Sequence, residues 1–141
     1  MKKMMKMFAV MFVAATVFAF TGCSKDYEDE IIGTWKVKNI TITETFNGQS
    51  HTEDETPEGE CTITFNEDKT VVATTVEDGY TETENGTYSI DDDTLIMTLD
   101  GETQKLAIDI DGDDMTLTLN QSFSEGDMSM SMKMVMKLKK I

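Results

Sequence analysis

From Thr34 to Lys139 the chain repeats one device, a short run in which every second side chain is apolar, closed by a turn of Asp, Asn or Gly. A period of two marks a strand with one buried face, because successive side chains leave the backbone on opposite sides. Cys61, Ile63 and Phe65 alternate with Thr62 and Thr64, and Leu106, Ile108 and Ile110 alternate with Ala107 and Asp109. Met128, Met130, Met132, Met134, Met136 and Leu138 form the longest such ladder. Asp78-Gly79 and Asp100-Gly101 are tight-hairpin dipeptides, since both residue types tolerate positive φ, and Asp91-Asp92-Asp93 and Asp111-Gly112 punctuate the chain similarly.

Eight strands are predicted: Thr34–Phe46, Cys61–Asn66, Thr70–Val76, Tyr80–Ile90, Thr94–Leu99, Gln104–Ile110, one carrying Met115, Leu117 and Leu119, and Met128–Lys139. In the first, the apolar phase moves from Trp35 and Val37 to Ile40 and Ile42, which predicts a bulge near Asn39. Gly86 predicts a bend in the fourth. The polar stretch Asn47–Glu60, with Pro57 and the acids Glu53, Asp54, Glu55, Glu58 and Glu60, reads as a long loop. Short connections after it make an up-and-down antiparallel meander. With one apolar face per strand, closure into a barrel buries those faces and removes the edges. The fold class is therefore all-β, a small barrel of about eight strands.

The first 22 residues have another character. Lys2, Lys3 and Lys6 precede an apolar run, Met7–Phe20, and the small residues Thr21 and Gly22 lead to Cys23. Basic, apolar and small in that order is the pattern of a secretory signal peptide. The apolar run is shorter than the roughly 20 residues of a spanning helix. The expected divisions are a signal peptide over 1–22, a lipidated cysteine and acidic tether over 23–32, and the barrel over 33–141. Removal of the signal leaves 119 residues, enough for one modest core.

Charge narrows the function classes. Nine of the 12 lysines and all 27 acids follow residue 22, leaving a balance of −18, and there is no arginine. Nucleic acid is excluded as a partner, because phosphate binding needs clustered cations. Catalytic constellations are also missing. His51 is the single histidine and has no nucleophile motif around it, so a triad-type mechanism has no base in place, and no enzyme activity is expected. Cys61 is the one thiol left once Cys23 is modified and reads as a small core residue. The carboxylates and glycine of Asp109–Asp114 resemble part of a calcium loop but lack its full length and closing glutamate, and hairpin chemistry accounts for them. Thioethers suit Cu(I), but the Met ladder has neither His nor Cys beside it. No metal and no cofactor is expected.

Two resemblances add to this reading. Phe20-Thr21-Gly22-Cys23 resembles a bacterial lipobox, with Phe20 where Leu is usual, and Ser24–Glu30 resembles the Lys-plus-acidic export tract of Bacteroidota lipoproteins. That implies a diacylated Cys23 and a home on the outer membrane, displayed at the cell surface or facing the periplasm. Two or three acyl chains anchor a protein stably where one does not. Further on, Ile32-Gly33-Thr34-Trp35 is similar to the Gly-X-Trp opening of lipocalins, and Thr62–Thr70 and Gly86–Ile90 follow in the order of the lipocalin-like lipoprotein domains. Lipocalins cover that tryptophan with an arginine, so Lys137 or Lys139 is the expected substitute here. The resemblance implies a binding module whose pocket candidates are Trp35, Val37, Phe65, Tyr88, Leu117, Met132 and Met134. The acidic first loop and the lack of arginine favour a neutral or cationic apolar ligand. The alternative is a surface protein with a filled core that engages a protein partner.

Overall fold

The computed structural model describes residues 27–141; the leader and Cys23 lie outside the described residues. Nine antiparallel strands follow one another: β1 (Gly33–Phe46), β2 (Gln49–Glu55), β3 (Glu60–Phe65), β4 (Thr70–Glu77), β5 (Tyr80–Asp91), β6 (Thr94–Leu99), β7 (Glu102–Asp111), β8 (Asp114–Glu125) and β9 (Met128–Lys140). Pairing of β1 with both β3 and β9 closes an eight-stranded ring, and β2 pairs with the later part of β1, on the edge that β3 uses nearer its start. The up-and-down barrel expected from the alternation is present.

β2 corrects the expected long loop. Asn47 and Gly48 both have positive φ, at 47° and 86°, and this Asn-Gly hairpin turns the chain straight back along β1. β2 contains no apolar residue, so no hydrophobic alternation announces it. Its outward rungs are polar instead: Thr41 donates to Asp54 at 2.6 Å, while Thr43 meets Thr52 and Thr45 meets Ser50.

The bulge near Asn39 is present as a register shift between Val37 and Asn39 against β9. It divides the work of β1. Before the bulge, Gly33–Lys36 pairs with β3; beyond it, Ile40–Phe46 pairs with β2. β7 and β8 pair only where Ala107–Asp111 meets Asp114–Thr118. Above those two partings, the ring continues as two separate sheets, β2-β1-β9-β8 and β3-β4-β5-β6-β7. Gly86 lies where the second sheet curves, and a Cβ there would fall 1.6 Å from the Thr98 carbonyl oxygen.

The core is one continuous cluster. It runs from Tyr27 and Ile31 through Trp35, Phe65 and Tyr88 to Leu117, Met134 and Met136.

Candidate functional site

The two ends of the barrel differ in construction. At one end, Tyr27–Ile31 forms a single turn, with the Ile31 amide donating to the Tyr27 carbonyl at 3.0 Å. The stretch expected as a tether thus becomes part of the barrel from Tyr27 onward: Tyr27 is buried and Ile31 has no exposed surface. The Trp35 indole N–H donates to the Ile31 carbonyl at 2.8 Å, and the Tyr27 hydroxyl donates to Asp109 at 3.2 Å. Burial, reinforced by the Asp109 carboxylate, pushes the Tyr27 phenol above its ordinary range. Beside this turn the Tyr88 hydroxyl donates to the Asn66 carbonyl at 2.7 Å, and the Tyr88 ring stands edge-on to Phe65.

The cation over the tryptophan is Lys140, whose Nζ lies 5.4 Å from the centre of the Trp35 ring. Lys137 and Lys139, the expected substitutes, alternate with the buried Met136 and Leu138 and so face outward. Lys140 is register-paired with Trp35 itself. Its stem lies where a side chain on Gly33 would go, with Cε 2.9 Å from the position of a Cβ, so the glycine of Gly-X-Trp makes room for the cation.

At the other end, β1, β8 and β9 continue above the core. Cross-strand register sets their inward side chains in rows: Ile40, Met136 and Leu117; Ile42, Met134 and Leu119; Glu44, Met132 and Gln121; Phe46, Met130 and Phe123. Burial falls along the ladder. Met136 and Met134 are buried, Met132 is half-buried, and Met130, Met128, Phe46 and Phe123 keep about half of their surface exposed, at 51%, 53%, 51% and 48%. All seven pocket candidates therefore join one apolar body. Trp35, Val37, Phe65, Tyr88, Leu117 and Met134 lie within the buried core, and Met132 stands where the core meets solvent. Phe46, Phe123, Met128 and Met130 complete this face, and the strand alternation of β1, β8 and β9 was the signal that could have found them.

The inward acids gather at the same end. Glu44 shares a row with His51, which pairs with Glu53 at 3.2 Å. Across the ring, Glu84 is register-paired with the buried Ala73, and Glu82 with Thr75, opposite the buried Cys61. Burial, then the charges of Asp100, Glu82 and Glu102, push the Glu84 carboxyl upward. Cys61 below it is pushed up by burial, with a further contribution from Glu84. Among the described residues, lysines take no part. Lys36, Lys105, Lys133, Lys137 and Lys139 alternate with inward neighbours and face outward. Lys69 and Lys140 sit at the closed end, near Tyr88 and Trp35, and Lys38 is exposed at the bulge.

The Asp109–Asp114 stretch is the β7–β8 hairpin, and among the described residues no three His, Cys, Asp or Glu side chains are placed to share a metal ion. Among the described residues, no helix is long and apolar enough to cross a membrane.

Residues 31–121 match the family model of a lipocalin-like domain. The chain belongs to that family. No curated protein matches it. Among solved structures, the lipocalin-like chain is similar to a lipocalin-like protein from Bacteroides uniformis at 14% identity, covering 79% of this chain and 99% of the other, with a TM-score of 0.49. It is also similar to an uncharacterized protein from Bacteroides eggerthii at 14% identity, with the same coverage of both chains and a TM-score of 0.48. In this lipocalin-like domain the Gly-X-Trp opening is the floor of the barrel, and the apolar face lies at the opposite end.

Proposed function

We propose that the lipocalin-like domain is a non-catalytic binding module, held at the outer membrane by acyl chains on Cys23 and displayed at the cell surface. Its ligand is a small apolar molecule, neutral or cationic, taken at the open end. The observation that carries this reading is the unbroken apolar ladder from buried Met134 through Met132 to exposed Met130 and Met128, bordered by inward acids and, among the described residues, by no lysine facing inward at that end. Methionine suits such a surface because its unbranched thioether chain adapts to varied apolar shapes. Fluorescence titration of the full chain with a long-chain alkylammonium probe, against an alkylcarboxylate of equal chain length, tests it. The ammonium should bind at least about tenfold more tightly, a difference of about 1.4 kcal/mol. Equal affinities would remove the charge argument, and no binding of either probe would end the reading. Anchoring is tested by Cys23→Ser, which should move the protein from the membrane to the soluble fraction with its fold unchanged.

One observation favours a second reading, a protein-binding role. Six of the seven pocket candidates are packed in the core, so the surface on offer is broad and lies above the barrel.

A further inference from the structure

We infer that the open-end face docks the apolar side of a cationic amphipathic helix belonging to a partner protein. This rests on the open end being the binding surface and develops the second, protein-binding reading by naming the occupant.

The shape of the face supports it. β2-β1-β9-β8 spans three inter-strand gaps, roughly 14 Å, and the rows from Ile42 to Phe46 rise roughly 13 Å. A helix with side chains is about 10–12 Å across, so about two to three turns lie on such a sheet. The partings of β1 from β3 and of β7 from β8 leave the face open at both sides, as a segment longer than the face requires. The apolar residues are Phe46, Phe123, Met128, Met130 and Met132, and Met-rich surfaces of this kind accept amphipathic helices by re-packing.

Charge selects the occupant. Glu44, Glu53 and Glu125 share the inward side of the sheet with the apolar residues, and Glu82, Glu84 and Glu102 line the wall across the ring. A second copy of this chain would bring acid against acid, at a charge of −15 per copy. A helix with Leu on one side and Lys on the other meets Met and Phe with its first side and both acidic margins with its second. Alternate-side specificity of this sort comes from repelling the wrong partner as much as from attracting the right one.

The test is calorimetric titration of the full chain with a Leu/Lys amphipathic peptide of about 18 residues. The controls are the same peptide with Glu for Lys, and the alkylammonium probe. The Leu/Lys peptide should bind, the Leu/Glu peptide should not, and a rise from about 0.05 to about 0.5 M salt should weaken binding at least about tenfold. The pair Phe46→Ser and Met130→Ser should cost a further factor of about ten or more. Both sites are exposed, and an unchanged melting temperature shows that the fold is kept. Glu44→Lys is the second variant; it leaves the apolar residues in place and should weaken the Leu/Lys peptide while giving the Leu/Glu peptide no less affinity than before. If the alkylammonium binds and the peptide does not, the helix inference fails while the binding reading stands. If neither binds, both fail. Binding of both peptides alike, insensitivity to the serine pair, or self-association through this face on sedimentation would each overturn the inference.

Discussion

At one end of the barrel Ile31 and Trp35 have no exposed surface, whereas at the other Phe46, Phe123, Met128 and Met130 keep about half of theirs, although β1 and β9 run through both ends. The closed end spends its polar groups inward. The Trp35 indole, the Tyr27 hydroxyl and the Tyr88 hydroxyl each reach a specific partner, so a buried donor is never left unmatched. The open end spends its apolar groups outward, among acids that cannot neutralise one another. The difference teaches that strand alternation fixes which side a residue takes but not whether that side is covered. Coverage depends on where the neighbouring strands part, and they part at the bulge in β1 and beyond Thr118 in β8.

The largest break in that contrast is Trp35→Ala. It empties the floor, orphans the Ile31 carbonyl and removes the ring beneath Lys140, and should cost about 3–5 kcal/mol in urea denaturation. Tyr27→Phe is milder. It removes the hydrogen bond to Asp109 and should cost about 1 kcal/mol, read in the same assay. At the open end, Phe123→Ala should change stability by no more than about 0.5 kcal/mol, because the ring is half exposed in the first place. A loss comparable to that at Trp35 would mean that the two ends are equally part of the core.

The remaining effect concerns pH and has the opposite sign. Because the folded Glu84 carboxyl is raised above its unfolded value, the folded state holds that proton more tightly. Its contribution to stability is therefore fully present below the ordinary carboxylate range and is lost as pH rises through the raised value. Glu84→Gln should stabilise the protein at neutral pH by less than about 1 kcal/mol, since the group is only half-buried, and should lose that advantage at pH 3 to 4 or so. A wild-type-like melting temperature across the whole range would show that the inward acids do not strain one another.

Much of this was legible in the residues themselves. The eight barrel strands, the bulge near Asn39 and the Asp-Gly turns follow from period-two patterning and from residues that accept positive φ. β2 was not legible as a strand from hydrophobicity, because Gln49–Glu55 carries no apolar side chain; only Asn47-Gly48 signalled it. The cation over Trp35 is Lys140 because register, which sequence does not show, decides which of several nearby lysines faces inward. The pocket candidates all lie on the inward side of their strands, but core and exposed face share one alternation. Only the parting of β7 from β8 and of β1 from β3 separates Met134 from Met130.

The turn at Tyr27 has a consequence in terms of reach. It fixes the point where the chain leaves the barrel at the floor, beside Trp35, at the far end from Phe46 and Met130. Four residue steps separate Cys23 from Tyr27, and an extended chain spans at most about 3.6 Å per step, so the floor could stand no more than about 14 Å from an anchor at Cys23. The 14 residues of β1 add roughly 45 Å of strand beyond it. With the anchor at Cys23 that we propose, the floor would face the surface that holds the barrel and the mouth would stand away from it. Under that proposed anchoring, whatever approaches the mouth would come from the solution side.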